Sequence, residues 1–140
     1  MLELRHMVPE VVRAQRVGVV DLSMVQHAGE DTADKVRFLM PEGRVEVVAP
    51  DGPAGGDWDL VIIVHDGLMY QRGRQLLRAV KAQLANAPLV VTFDLSFQRV
   101  WRIDRNGYAA FSRRAWAYPY LLAAVRRLPA PLRRPLLGTR

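Results

Sequence analysis

Short apolar runs rich in valine and isoleucine recur along the first two thirds of the chain and constrain its fold most strongly. They occupy residues 16–22 (RVGVVDL), 44–49 (RVEVVA), 59–64 (DLVIIV) and 89–93 (LVVTF). β-Branched residues favour strands, and continuous apolar runs are typical of strands that are covered on both faces. The sequence therefore predicts four strands of a buried sheet.

Helical patterns separate these runs. Acidic residues open a helix predicted over residues 30–40, and the apolar residues of 71–86 recur at helical spacing. Residues 4–14 are interpreted as a short helix or an arm. The order strand, helix, strand, strand, helix, strand predicts an α/β fold with a single Rossmann-like, mostly parallel sheet and flanking helices.

The last third of the chain has a different pattern. Residues 97–114 are expected to form an antiparallel hairpin appended to the sheet, with a tight Asn-Gly turn. A basic C-terminal helix is predicted over residues 119–128, followed by a Pro/Arg-rich tail over residues 129–140. The expected organisation is therefore one α/β domain at residues 1–128 and a basic tail.

Charge is divided unevenly along the sequence. Residues 1–96 carry ten Lys/Arg and thirteen Asp/Glu, whereas residues 97–140 carry ten Arg and one acid. A mildly acidic body with a strongly basic end predicts a C-terminal region that docks on something anionic. Protein subunits of a larger assembly, nucleic acid or an anionic membrane surface would each fit, and an oligomer or complex component is expected.

Arginine and aromatic residues alternate in this basic part, a pattern that suits phosphate neutralisation and base stacking. The residues expected to bind the partner are Arg99, Trp101, Arg102, Arg113, Arg114, Trp116, Arg126, Arg127, Arg133 and Arg134. The plainer alternative is a C-terminal helix that packs on its own sheet and leaves its arginines solvated.

Polar residues also mark the ends of the predicted strands. The candidate catalytic residues His65, Asp66, Asp21 and Asp94 lie there, and ligands of open parallel sheets bind at the carboxyl ends of the strands. A histidine could act as a general base, and the carboxylates could hold a ribose hydroxyl or a divalent cation. Asx turns place polar residues at strand ends for structural reasons too, so both interpretations stay open.

No diagnostic catalytic or metal-binding motif is present. The chain has no cysteine, no P-loop ending, no dinucleotide fingerprint and no histidine pair at metal spacing. The glycine-rich residues 51–57 are interpreted as a plain loop, and the polar residues around His27 as a helix start. No metal and no cofactor are expected. The missing cysteines and the lack of a secretory signal predict a cytoplasmic protein.

The run WDLVIIVHDG…LLRAVKAQL…APLVVTFDLS, residues 58–96, resembles the N-terminal Rossmann half of nucleotide-sugar glycosyltransferases. The same outline is similar to the latter half of class I methyltransferases. The resemblance implies a Rossmann-like fold and a nucleotide-type ligand at the strand ends. Such a glycosyltransferase needs a second Rossmann domain, and a methyltransferase needs a glycine-rich turn after the first strand. This sequence supplies neither, so no family residue is assigned a catalytic role.

Two functions follow from these observations. The sequence favours a non-enzymatic α/β binding or assembly module that docks through its Arg/aromatic-rich C-terminal region onto a larger protein or nucleoprotein assembly. The alternative is a small or degenerate transferase, similar to a glycosyltransferase or methyltransferase, that binds a nucleotide-type ligand at the carboxyl ends of the strands.

Overall fold

The computed structural model describes residues 4–50, 57–66, 73–96 and 98–132, apart from the side chains of residues 73, 116 and 118–122. The elements are α1 (Leu4–Met7), a 3-10 turn (Pro9–Val12), β1 (Arg16–Asp21), α2 (Ala28–Leu39), β2 (Arg44–Val47), β3 (Leu60–His65), α3 (Gly73–Leu84), β4 (Leu89–Asp94), β5 (Arg99–Asp104) and α4 (Tyr108–Arg126). Within this part of the chain, five strands form a sheet in the order β2-β1-β3-β4-β5. The expected α/β fold is confirmed.

The central strand β3 is buried at all six of its residues. It pairs in parallel with β1 on one side and with β4 on the other. Because successive side chains of a strand point to opposite faces, both faces of this sheet are apolar and both must be covered. Helices on the two faces supply that cover.

One face of the sheet is covered by α2 and the other by α3 and α4. The buried residues Ala33 and Val36 of α2 share a core cluster with Leu60 and Ile62. The side chains of β3 that point the other way join a second cluster, which contains the buried residues of α3 and the start of α4. This two-sided arrangement is the doubly wound architecture.

The N-terminal segment, formed by α1 and the 3-10 turn, packs on the sheet face that α2 covers and completes that cover. Val8 and Val11 are fully buried in the same cluster, and Arg102 of β5 binds both the Glu10 carboxylate and the carbonyl oxygen of Met7. Residues 4–14, expected to form a short helix or an arm, form two short helical turns separated at Val8, because a residue before proline is disfavoured from helical geometry. The segment is thus part of the core.

The antiparallel strand of the sheet is β5, and it pairs with β4 along its whole length. The hairpin predicted over residues 97–114 is therefore wrong in its second half, because α4 begins at Tyr108. The Asp104 side chain accepts the backbone N–H of Gly107 at 2.5 Å. That contact closes the turn directly before α4, where the second strand was expected.

The burial pattern after this turn is helical. Phe111 and Ala115, four residues apart, are buried, whereas Ala109 and Ala110 are exposed. This spacing places one stripe of α4 on the sheet and does not suit a strand, whose faces alternate every residue. The basic helix predicted over residues 119–128 is the second half of this longer helix.

None of the helices in the described part of the chain combines the length and apolar character that crossing a bilayer requires.

Val11→Ala should lower the free energy of unfolding by about 2 kcal/mol, because it removes two buried carbon atoms and leaves a cavity. The neighbouring Val12→Ala is the matched control, since Val12 is 61% exposed and should change stability by less than about 0.5 kcal/mol. Urea unfolding of both variants measures the difference. Equal effects would show that the N-terminal segment does not belong to the core.

Candidate functional site

The chain leaves β1 and β3 toward opposite faces of the sheet. α2 follows β1 and packs on one face, whereas α3, which follows β3 after an intervening loop, packs on the other. Since β1 and β3 are neighbours, their carboxyl ends flank the topological switch point of the sheet. Ligands of doubly wound folds bind in the crevice at this position.

Asp21, at the end of β1, organises the loop that leads into α2. Its Oδ1 accepts the backbone N–H and the hydroxyl of Ser23 at 2.8 and 2.7 Å, and its Oδ2 accepts the N–H of Gly29 at 2.9 Å. A Cβ atom at Gly29 would lie 2.7 Å from that of Asp21, so the close approach requires glycine. The carboxylate satisfies a free N–H of the first turn of α2 and has a structural role there.

The predicted start of α2 around His27 is only partly confirmed. Glu30 and Asp31 lie in the first turn, but His27 precedes the helix in the left-handed conformation and its side chain makes no capping hydrogen bond. Asp21 provides that hydrogen bond from a neighbouring strand instead. The glycine-rich loop was predicted over residues 51–57, and all of it except residue 57 lies outside the described residues.

Asp66 connects three loops at the carboxyl edge of the sheet. Its Oδ2 accepts the backbone N–H of Met24 at 2.6 Å, and its carbonyl oxygen accepts the hydroxyl of Ser96 at 2.6 Å. The loops after β1, β3 and β4 are therefore hydrogen-bonded to one another. Asp66, like Asp21, has a structural role, because it fixes the loops around the site through hydrogen bonds.

His65, Asp94 and Arg99 form a row across three adjacent strands. His65 is in register with Asp94, and Asp94 is in register with Arg99. All three belong to the sheet face covered by α3 and α4, and all three line one cleft. His65 and Asp94 were expected from the sequence to lie near each other, whereas Arg99 was expected to belong to the C-terminal docking region. That all three residues line one cleft was therefore not predicted.

The cleft has an enclosed volume of about 10 Å³. Its polar lining is His65, Asp94, Arg99 and Thr92. Its apolar lining is Leu76 from the first turn of α3, Trp101 from β5 and Phe111 from α4. A mostly apolar wall with a few converging polar groups is typical of small-molecule sites, but this volume leaves room for about one water molecule only.

Burial is the largest influence on the pKa of His65. The residue is 6% exposed, and desolvation lowers the pKa of its imidazole, while the nearby carboxylates of Asp94 and Asp66 oppose this change. The imidazole is therefore neutral near pH 7. In that state it can donate one hydrogen bond and accept another.

Three residues of the predicted docking set lie on β5, within the sheet. Arg99 lines the cleft, and Arg102 binds the N-terminal segment. Trp101 packs against the core and meets Phe111 edge to face, with 5.7 Å between ring centroids. These contacts give each of them a role in the fold.

The other members of the set belong to α4 or follow it. The guanidinium of Arg114 lies 5.9 Å from the ring centroid of Trp101, and Arg113 donates to the carbonyl oxygen of Ala109 one turn earlier. Arg126 and Arg127 are exposed at the helix end. The side chain of Trp116, and all of Arg133 and Arg134, lie outside the described residues.

The described residues contain no group of three or more His, Cys, Asp or Glu side chains arranged to hold a metal ion.

No protein-family model matches the chain, and a comparison with curated proteins gave no match. Its function is therefore inferred from its own residues and geometry.

His65 should make the fold less stable in mild acid. In the unfolded chain imidazole binds a proton below about pH 6.5, whereas the lowered pKa keeps the buried imidazole neutral to lower pH. The unfolded state then carries more protons. The free energy of unfolding should fall as pH drops below about 6.5, by at most about 1.4 kcal/mol per pH unit, until the folded pKa is reached.

Denaturation of the wild type and of His65→Gln at pH 7.5 and pH 5.5 measures this effect, and the variant should lose less stability. His27→Asn is the control, because His27 is exposed and asparagine tolerates its left-handed backbone. This control should keep the wild-type pH dependence. A His65→Gln profile that parallels the wild type would contradict the assignment.

Proposed function

We propose that this protein is a non-enzymatic α/β binding or assembly module that docks through its basic C-terminal region onto a larger protein or nucleoprotein assembly. The distal segment is defined as residues 123–140, and the observation that carries the proposal is the exposure of its described part, residues 123–132. The buried residues of α4, among those whose side chains are described, are Phe111 and Ala115 in its first half.

The distal segment is exposed over most of its described length. Ala123, Ala124, Arg126 and Arg127 are exposed, and Leu132 is 57% exposed. A C-terminal helix that packed on its own sheet to its end would carry buried residues in its last turn, and none of the described residues 123–132 is buried. The exposure here favours an end that is available to another molecule.

Charge indicates the chemistry of that molecule. The distal segment contains five arginines and no acidic residue, and α4 adds Arg113 and Arg114 on the same helix. Arginine forms paired hydrogen bonds with carboxylates and phosphates and stacks on aromatic rings. An anionic protein surface or a nucleoprotein would therefore suit it, and the attraction would weaken at high salt.

The proposal rests on the members of the expected docking set that lie outside the sheet, since three members lie on β5. Arg99, Trp101 and Arg102 have intramolecular contacts at the cleft, in the core and at the N-terminal segment. The proposal therefore depends on Arg113, Arg114 and Trp116 of α4, and on Arg126, Arg127, Arg133 and Arg134.

Affinity purification of the tagged protein from its native source, at near-physiological salt and with nuclease, should recover a protein partner. A variant that ends at Leu128 should keep the thermal unfolding transition of the full chain, because residues 129–132 are exposed, and should lose the partner. Retention of the partner by this variant would refute the proposal. Loss of everything bound after nuclease treatment would identify nucleic acid as what the region binds.

Two double variants distinguish the contribution of contacts made by Arg126 and Arg127 to partner binding from an effect of the protein's net charge. Arg126→Gln with Arg127→Gln should weaken the interaction about tenfold, since two exposed ion pairs contribute on the order of 0.5–1 kcal/mol each. Arg13→Gln with Arg78→Gln removes the same charge from exposed positions elsewhere and should have a much smaller effect. Equal weakening would show that only overall charge matters.

A further inference from the structure

The turn between β5 and α4 contains the chain's only Asn-Gly pair, Asn106 and Gly107. Asn106 is exposed to solvent, and Gly107 is partly exposed. Asparagine followed by glycine deamidates readily, because glycine has no side chain to hinder the approach of its backbone nitrogen to the side-chain amide of the asparagine. The turn therefore combines a reactive residue pair with access to water.

Deamidation needs no reactant other than water. The backbone nitrogen of Gly107 loses its proton and attacks Cγ of Asn106. A bond forms between these two atoms, the bond from Cγ to the side-chain nitrogen breaks, and ammonia leaves with the proton. Water then opens the resulting cyclic imide at either of its carbonyl groups, and the product is aspartate or isoaspartate.

The attacking nitrogen is hydrogen-bonded in the folded protein. The N–H of Gly107 donates to Oδ1 of Asp104 at 2.5 Å and to the carbonyl oxygen of the same residue at 3.1 Å. The nitrogen must lose this proton before it attacks, and a hydrogen bond from the protonated form to a carboxylate disfavours that loss. Asp104 therefore slows the first step of the reaction.

Neighbouring contacts hold the turn in place. Nε of Arg105 donates to the carbonyl oxygen of Leu84, the last residue of α3, at 3.0 Å. The N–H of Phe111 donates to the carbonyl oxygen of Gly107 at 3.0 Å, and Phe111 is 4% exposed. Because the peptide groups around Gly107 are fixed in this way, its nitrogen reaches the side chain of Asn106 only when the turn and the start of α4 open locally.

We infer that Asn106 is a deamidation site and that Asp104 restrains its reaction in the folded protein. Either product places a negative charge directly before α4, where the free N–H groups of the first helical turn favour it. Isoaspartate also adds one carbon atom to the main chain between β5 and α4, and so changes the base of the helix that carries the distal segment. The inference does not depend on the proposed docking function.

Peptide mass spectrometry of the full chain tests the inference. Conversion of each asparagine is followed over time near pH 7.5, in the folded protein and in concentrated guanidinium chloride. Asn106 should convert in the unfolded chain and at least tenfold more slowly in the folded protein. Asn86, which precedes an alanine, is the internal control and should convert more slowly than Asn106 in the unfolded chain. Equal rates at Asn106 in the two states, or no conversion when unfolded, would overturn the inference.

Two variants test the role of Asp104. Asp104→Ala should raise the rate at Asn106 at least fivefold in the folded protein and leave the rate in guanidinium chloride unchanged. Asp57→Ala removes an exposed carboxylate elsewhere, is the matched control, and should keep the wild-type rate in the folded protein.

Thermal unfolding shows whether each variant is folded. If the alanine variant does not fold, Asp104→Ser takes its place, because serine keeps a short hydrogen-bond acceptor, and its folded rate should lie between those of the wild type and the unfolded chain. A folded Asp104 variant that converts at the wild-type rate would contradict the restraint.

Discussion

The fold depends on the complete burial of β3. All six of its residues are buried, so the sheet must be covered on both faces. α2 and the N-terminal segment cover one face, and α3 and the first half of α4 cover the other. His65 is the last residue of this strand, and its burial, which lowers the pKa of its imidazole, follows from the same requirement.

The four parallel strands could be predicted from the sequence, because β-branched apolar runs have few other stable arrangements in a small domain. The second strand of the expected hairpin could not. Asn-Gly is typical of tight hairpin turns, but Asp104 binds the amide of Gly107 and the burial of Phe111 and Ala115 is helical. Tertiary contact with the sheet decided the structure of that segment.

The candidate site was predictable only in part. The order of strands along the chain suggested that His65, Asp66, Asp21 and Asp94 share one edge of the sheet, and they do lie at strand ends there. Strand order and register decide which of these residues line a cleft. Neither can be predicted from the pattern of a single sequence. Arg99 and Thr92 enter the site for that reason, and Asp21 serves the start of α2 instead.

One helix connects the cleft to the proposed docking region. α4 contributes Phe111 to the cleft and carries Arg126 at its other end, about 22 Å further along an ideal helix. The first half of α4 is therefore held by the core, and Ala123, Ala124 and Arg126 near its end are exposed. The account assigns the partner to the distal segment.

Site-specific photo-cross-linking measures the position of the partner most directly. A photoreactive phenylalanine derivative would replace Ala124, which is exposed on the distal segment, or Phe38, which is 86% exposed on α2, in the tagged protein in its native source. The account predicts a cross-linked partner from position 124 and none from position 38. A cross-link from position 38 with none from position 124 would contradict it.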